Sequence, residues 1–240
     1  YGAKLINIFS TEFKLETHDH YRNKTFKQTY FNNMSSSNEP KITSKKEIPY
    51  TKITYKVDFK KFGIDKYTDD MILLFKKRVY DASAVTDNSV SVYLNDEKIQ
   101  HKSFEKYIDL YLGNKNDVVR AYEKVNDRWE IAAGLSNEDK FEQISFVNGI
   151  STIKGGKHID HVVNNITKKL CDFISKKKKI IVKPTYVKEH LFVFVKCTID
   201  NPCFDSQTKE ALTSAASKFG SKCDISDKFI TNLAKTGIIE

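Results

Sequence analysis

Leu191-Phe192-Val193-Phe194-Val195-Lys196-Cys197-Thr198-Ile199 is a nearly continuous apolar run, and Asn201-Pro202-Cys203-Phe204-Asp205-Ser206-Gln207-Thr208-Lys209-Glu210-Ala211-Leu212 follows it. The first stretch has the pattern of a central strand buried on both faces. The second reads as a turn over 201–206 that leads into a helix predicted over 207–218, with Asp205 or Ser206 as its N-cap. On that reading Lys209 sits near the start of a helix, where a cation opposes the helix dipole. An anion held there by free backbone N–H groups and the lysine together would remove the conflict, which suggests a phosphate and hence a nucleotide. The other reading is a surface lysine balanced by Glu210, and residue types alone leave both open.

Outward from this point, strands flanked by helices recur. The pattern Leu5, Ile8, Phe9 predicts a helix at the beginning of the chain. The segments 12–17 and 25–30 read as a hairpin with 18–24 as its polar turn. Residues 35–46 read as a polar loop. Residues 50–59 alternate, with Thr51, Ile53, Tyr55, Val57 and Phe59 on one face, which predicts a half-buried strand. A helix is predicted over 69–84 and a short strand over 90–94. A second unit begins near Gln100, where Ser103 caps a helix carrying Phe104, Ile108 and Tyr111. The segments 118–125, 129–135 and 141–147 read as a three-strand meander. Gly155-Gly156 then opens a helix whose apolar stripe is Ile159, Val162, Val163, Ile166, Leu170 and Phe173. A last helix is predicted over 227–235. The fold class is α+β, in two units.

Composition narrows the partners. The chain has 240 residues, 40% hydrophobic and 30% charged, with a net charge of +9. That balance suits a globular protein and favours a polyanionic partner. Lysine far outnumbers arginine, which occurs only at 22, 78, 120 and 128. Lysine is a mobile point charge, better suited to phosphates than to reading base edges. Lys176-Lys177-Lys178-Lys179, read as a loop between helix and strand, has two open readings: contact with a nucleic-acid backbone, or a solvated connector. Tyr1-Gly2-Ala3-Lys4 is either a phosphate cradle of backbone N–H groups or an ordinary start of a helix. Cys171, Cys197, Cys203 and Cys223 lack Cys-x-x-Cys spacing, which points to reduced thiols and away from zinc. His158 has no nucleophile or carboxylate at a telling spacing and is expected to form structural hydrogen bonds. The sequence lacks a signal peptide, a long apolar run, a Walker A sequence, an HExxH and a nucleophile elbow. It points to a soluble intracellular protein.

Taken together, several stretches resemble the eukaryotic-type DNA topoisomerase II family, a type IIA topoisomerase. They are Tyr-Gly-Ala-Lys-Leu-Ile-Asn-Ile-Phe-Ser at 1–10, Phe-Lys-Gln-Thr at 26–29, Lys-Arg-Val-Tyr-Asp at 77–81 and Tyr-Ile-Asp-Leu-Tyr at 107–111. The most specific are Gln-Ile-Ser-Phe-Val-Asn-Gly-Ile-Ser-Thr-Ile-Lys-Gly-Gly-Lys-His at 143–158 and Asn-Pro-Cys-Phe-Asp-Ser-Gln-Thr-Lys-Glu at 201–210. Phe-Gly-Ser-Lys-Cys at 219–223 and the final Gly-Ile-Ile-Glu agree as well.

The resemblance implies the back half of a GHKL ATP-binding domain over residues 1–100. It implies a transducer domain of ribosomal-protein-S5-like fold over 101–240. It implies ATP contact by Tyr1, Gly2, Ala3 and Lys4 at the end of the ATP lid, and by Gln207, Thr208 and Lys209, with Lys209 on the γ-phosphate. Lys176, Lys177 and Lys178 match the family's DNA-sensing lysine loop, shortened here. The magnesium-binding Asn and the general-base Glu of the family would precede Tyr1, and the cleavage domains would follow Glu240. The chain is therefore expected to be an internal fragment, inactive alone. The implied setting is a nuclear homodimer acting on double-stranded DNA with ATP and Mg2+, away from membranes. The alternative is a non-enzymatic basic nucleic-acid-binding module of S5-like fold.

Overall fold

The structure, a computed structural model, describes residues 1–240. Two compact units emerge, residues 1–72 and 73–240. The division falls inside a helix.

The first unit opens with helix α1 (Gly2–Ile8) and continues into an antiparallel sheet. Its strands are β1 (Ser10–Asp19), β2 (Lys24–Phe31), β3 (Ser36–Ser37), β4 (Lys41–Ser44) and β5 (Tyr50–Val57), in the order β3-β2-β1-β5 with β4 also on β2. The expected hairpin is β1–β2. Its turn is tight because Asp19 Oδ1 accepts from the backbone N–H groups of Tyr21 and Arg22. Phe13 fills the buried face and stands opposite Tyr30 and Tyr55 across the two ladders. Two expectations need correction. Residues 35–46 are not a plain loop, since β3 and β4 pair with β2. Every β4 side chain is exposed, so no alternation marked it. Strand β5 is not half-buried: Ile53 and Tyr55 are 46% and 45% exposed. It is an edge strand, paired only with β1.

Helix α2 (Asp69–Val85) contains the division between the units. The expected strand over 90–94 shrinks to β6 (Tyr93–Leu94), which forms a small hairpin with β7 (Glu97–Lys98). Helix α3 (Phe104–Leu112) starts at the expected cap, with Ser103 Oγ accepting from Lys106 N. The main sheet uses β8 (Ala121–Asn126), β9 (Trp129–Leu135), β10 (Glu142–Val147), β11 (Ile150–Ser151) and β13 (Leu191–Cys197), in the order β11-β10-β13-β9-β8. Between β11 and β13 come β12 (Gly155–Gly156), α4 (Lys157–Lys178) and α5 (Pro184–Glu189). After β13 come β14 (Ala211–Leu212) and α6 (Asp227–Leu233).

The meander expected from 118–147 is corrected here. Strand β13 inserts between β9 and β10, parallel to β10 and antiparallel to β9. Chain order cannot reveal this, because the α4 crossover brings β13 back into the middle of the sheet. The sheet carries a core on each face. Ile131, Ala133, Val193 and Val195 meet Val162, Ile166 and Leu170 of α4 and Phe229 of α6 on one side. Ala132, Phe146 and Phe194 meet Phe104, Tyr107 and Ile108 of α3 on the other. Central placement explains why β13 reads as a continuous apolar run.

The helix expected over 207–218 is absent. Lys209 has φ +59°, in the left-handed region, and Ala211–Leu212 form β14, parallel to β12. The Ala-rich composition of 211–216 favours helix locally. Burial of Leu212 against the Gly155–Gly156 backbone and a Ser214 Oγ bond to Cys203 N override it. The conflict between Lys209 and a helix dipole therefore does not exist. Lys176–Lys178 are also not a loop. They are the last turn of α4, with Lys179 at φ 60° as its left-handed cap. Cations there complement the helix dipole.

Candidate functional site

Residues 201–212 form a loop with two anchored legs and a free tip. The entering leg leaves β13 under a guanidinium clamp. Arg128 donates from Nε to Thr198 O at 3.1 Å, from Nη2 to Asp200 Oδ1 at 2.6 Å and from Nη1 to Gly220 O at 3.3 Å. The bond from the Arg128 guanidinium to Asp200 holds that carboxyl below its ordinary range. Cys203 N donates to Ser214 Oγ at 2.7 Å, Thr213 N donates to Cys203 O at 2.9 Å, and Phe204 bridges Leu212. The leaving leg is Glu210–Leu212. Lys154 N donates to Glu210 O at 3.0 Å, and Gly155 and Gly156 pair with Ala211 and Leu212.

Between the legs, Asp205 is bonded to Ala211 of the leaving leg, and the rest of the tip is held only by itself. Lys209 N donates to Ser206 O at 3.1 Å, and the Ser206 and Thr208 hydroxyls lie 2.9 Å apart. Gln207 and Thr208 are exposed and Lys209 is half-buried. Lys209 Nζ lies 5.9 Å from the Phe204 ring centre and makes no ion pair, while Glu210 is bonded to Lys154 Nζ at 2.6 Å. The surface-lysine reading, with Glu210 as partner, thus loses its partner. What the tip offers is an unneutralised ammonium beside two side chains able to hydrogen-bond. That set suits an anion with several oxygens.

The sequence-derived candidates fall into three places. Gln207, Thr208 and Lys209 are brought together at this tip, in the second unit. Tyr1, Gly2, Ala3 and Lys4 lie at the start of α1 in the first unit. There Tyr1 is 95% exposed, and no side chain caps the helix. Nothing stands within 4 Å of where a Gly2 Cβ would be. Lys176, Lys177 and Lys178 project from the far end of α4. Lys177 Nζ sits 5.6 Å from the Phe173 ring centre, and none of the three makes an ion pair.

His158 is buried, with Nε2 3.1 Å from Thr152 Oγ1, which lies 2.6 Å from Ser145 Oγ. Its Nδ1 has no partner, and burial pushes the imidazole down to about 4. It is a structural group, as expected. Cysteines 171, 197, 203 and 223 are free thiols, and burial raises Cys197 and pushes Cys223 up to about 12. No three His, Cys, Asp or Glu side chains are grouped to hold a metal, and no helix is long and apolar enough to cross a membrane. Sequence reasoning missed the Arg128–Asp200 clamp and the Lys154–Glu210 pair. Each joins residues far apart in sequence, so no local spacing announces it. It also missed α5, which Pro184 at the first helical position could have revealed.

Comparison with known proteins gives a consistent picture. The DNA gyrase B family matches residues 89–239. All of the chain aligns with a probable DNA topoisomerase 2 of Dictyostelium discoideum, 48% identical over 245 residues, and spans 16% of that protein's length. The ATPase region of Saccharomyces cerevisiae topoisomerase II superposes with a TM-score of 0.89 at 41% identity, covering 99% of this chain and 62% of that one. The ATPase and transducer domains of DNA topoisomerase II from Balamuthia mandrillaris superpose at 0.90 with 39% identity, covering 100% and 62%.

Proposed function

Because the chain belongs to the DNA gyrase B family and has the fold of the ATPase and transducer region of eukaryotic-type topoisomerase II, we propose that it works as part of a type II DNA topoisomerase. Its fold is α+β, the back half of a GHKL ATPase domain followed by an S5-like transducer. In the whole protein, ATP binding closes a dimer gate, and hydrolysis accompanies passage of one duplex through a transient double-strand break in another. On this reading the ATP-binding part runs to about residue 100 and the transducer spans 101–240. The setting is the nucleus and the working form a homodimer.

The observation that carries this reading is the unpaired Lys209 ammonium at the apex of a loop anchored on both legs. In this role Lys209 binds the γ-phosphate and stabilises the charge that develops on the transferring phosphoryl group, with Gln207 and Thr208 beside it. A group fixed before reaction needs no reorganisation when that charge appears. Tyr1, Gly2, Ala3 and Lys4, in the first unit, contact ATP phosphates through backbone N–H groups. The residues of this chain fit a phosphate but supply no carboxylate cluster for Mg2+. Lys176, Lys177 and Lys178 contact the duplex backbone as point charges, without reading sequence.

The test uses the full-length protein. Decatenation of linked DNA circles should require ATP and Mg2+ and fail with ADP. Salt-sensitive duplex binding without any ATP-dependent strand passage would instead establish the basic binding module.

A further inference from the structure

The loop contains three charged side chains, and only one of them is free. Asp205 accepts from Ala211 N and Ser206 Oγ through Oδ1, both at 3.2 Å. Glu210 pairs with Lys154 at 2.6 Å. Lys209, next to Glu210 in sequence, is left unpaired. Lys154 is tied to this leg twice, since its backbone N–H also holds Glu210 O. The pairing with Glu210 is the largest influence on the Lys154 ammonium and raises it above its ordinary range.

The backbone around this pair has little freedom. Gly156 has φ +124°, and a Cβ on it would lie 2.3 Å from Leu212 O and 2.5 Å from Leu212 N. Only glycine permits so close an approach, and the obstructing atoms are backbone that cannot swing aside. The β12–β14 contact therefore fixes Lys154 opposite Glu210. Removing the Lys154 charge would leave a carboxylate beside the anion-binding ammonium, free to pair with Lys209 and to repel a phosphate.

We propose that Lys154 is a positioning residue for Lys209: by occupying Glu210 it keeps the Lys209 ammonium free for the γ-phosphate. The proposal rests on the reading of Lys209 given above. It acts through charge, so its signature is rescue by deleting the opposing charge.

The experiment measures ATP turnover, competitive inhibition by ADP and thermal melting in the full-length protein for Lys154→Met, Lys154→Met/Glu210→Gln and Lys209→Gly. Lys154→Met should lower kcat/KM for ATP about three- to tenfold, the scale of one screened interaction between neighbouring charges. The double variant should return to within about twofold of wild type, because the freed carboxylate is gone. Inhibition by ADP, which lacks the γ-phosphate, should be unchanged in both. Wild-type turnover in Lys154→Met overturns the proposal. So does a double variant as impaired as the single, or a matching loss of ADP affinity. Wild-type turnover in Lys209→Gly refutes the reading of Lys209 itself; an impaired Lys209→Gly beside an unaffected Lys154→Met refutes only the role of Lys154.

Discussion

Acidification should destabilise the second unit through His158. The side chain is fully buried at the start of α4, and its environment offers one partner, Thr152 Oγ1 at 3.1 Å. A protonated imidazole donates from both nitrogens, and Nδ1 faces no acceptor. Burial alone accounts for the shift from an ordinary 6.5 down to about 4. The folded value lies below the unfolded one, so the unfolded chain binds more protons between the two. Stability is full above 6.5 and falls as pH drops towards 4. Integrating the linkage relation from pH 7.5 to pH 5.0 gives a loss of about 2 kcal/mol, or a melting shift of roughly 4–8 °C for a unit of this size. Other groups titrate over the same range, so His158→Gln serves as the reference. Urea unfolding at both pH values should show wild type losing about 2 kcal/mol more than His158→Gln. Equal losses in the two proteins would refute the argument, as would a wild-type loss confined to pH below 4.

Three further outcomes are expected. Asp81 is buried and accepts from Lys77 at 2.9 Å and Tyr107 at 2.6 Å, so Asp81→Ala should cost about 2–3 kcal/mol by urea unfolding. Ile166→Ala should cost about 3 kcal/mol by the same assay, since the side chain is wholly enclosed between α4 and the sheet. Replacing Lys176, Lys177 and Lys178 with Ala in the full-length protein should make the slope of log affinity against log salt for duplex DNA shallower by about 2–3, and leave base preference unchanged.

Legibility in the sequence followed the range of the forces involved. Strand β13 was readable because burial on both faces leaves an unbroken apolar run. The start of α3 was readable because Ser103 and Lys106 are neighbours on one turn. The order of the main sheet was not, since no residue in β9 or β10 encodes that β13 lies between them. Residues 207–218 misled because their helix propensity is local while the contacts that decide their path, from Gly155, Gly156 and Ser214, are remote. Lys209 was singled out on a mistaken premise, a helix dipole. The structure replaces that premise with another: a free ammonium at the apex of a clamped loop. The pairs that anchor the loop, Lys154 with Glu210 and Arg128 with Asp200, were beyond any reading by spacing.

The central claim is that Lys209 supplies a positive charge to the γ-phosphate, and Lys209→Gly in the full-length protein tests it most directly. At φ +59° glycine is at least as comfortable as lysine, so this change removes the charge without straining the loop. Single-turnover ATP hydrolysis should slow by about two orders of magnitude, the usual effect of losing one preorganised group that stabilises developing charge, with melting temperature unchanged or slightly raised. Hydrolysis and decatenation at wild-type rates in a folded Lys209→Gly protein would contradict the account.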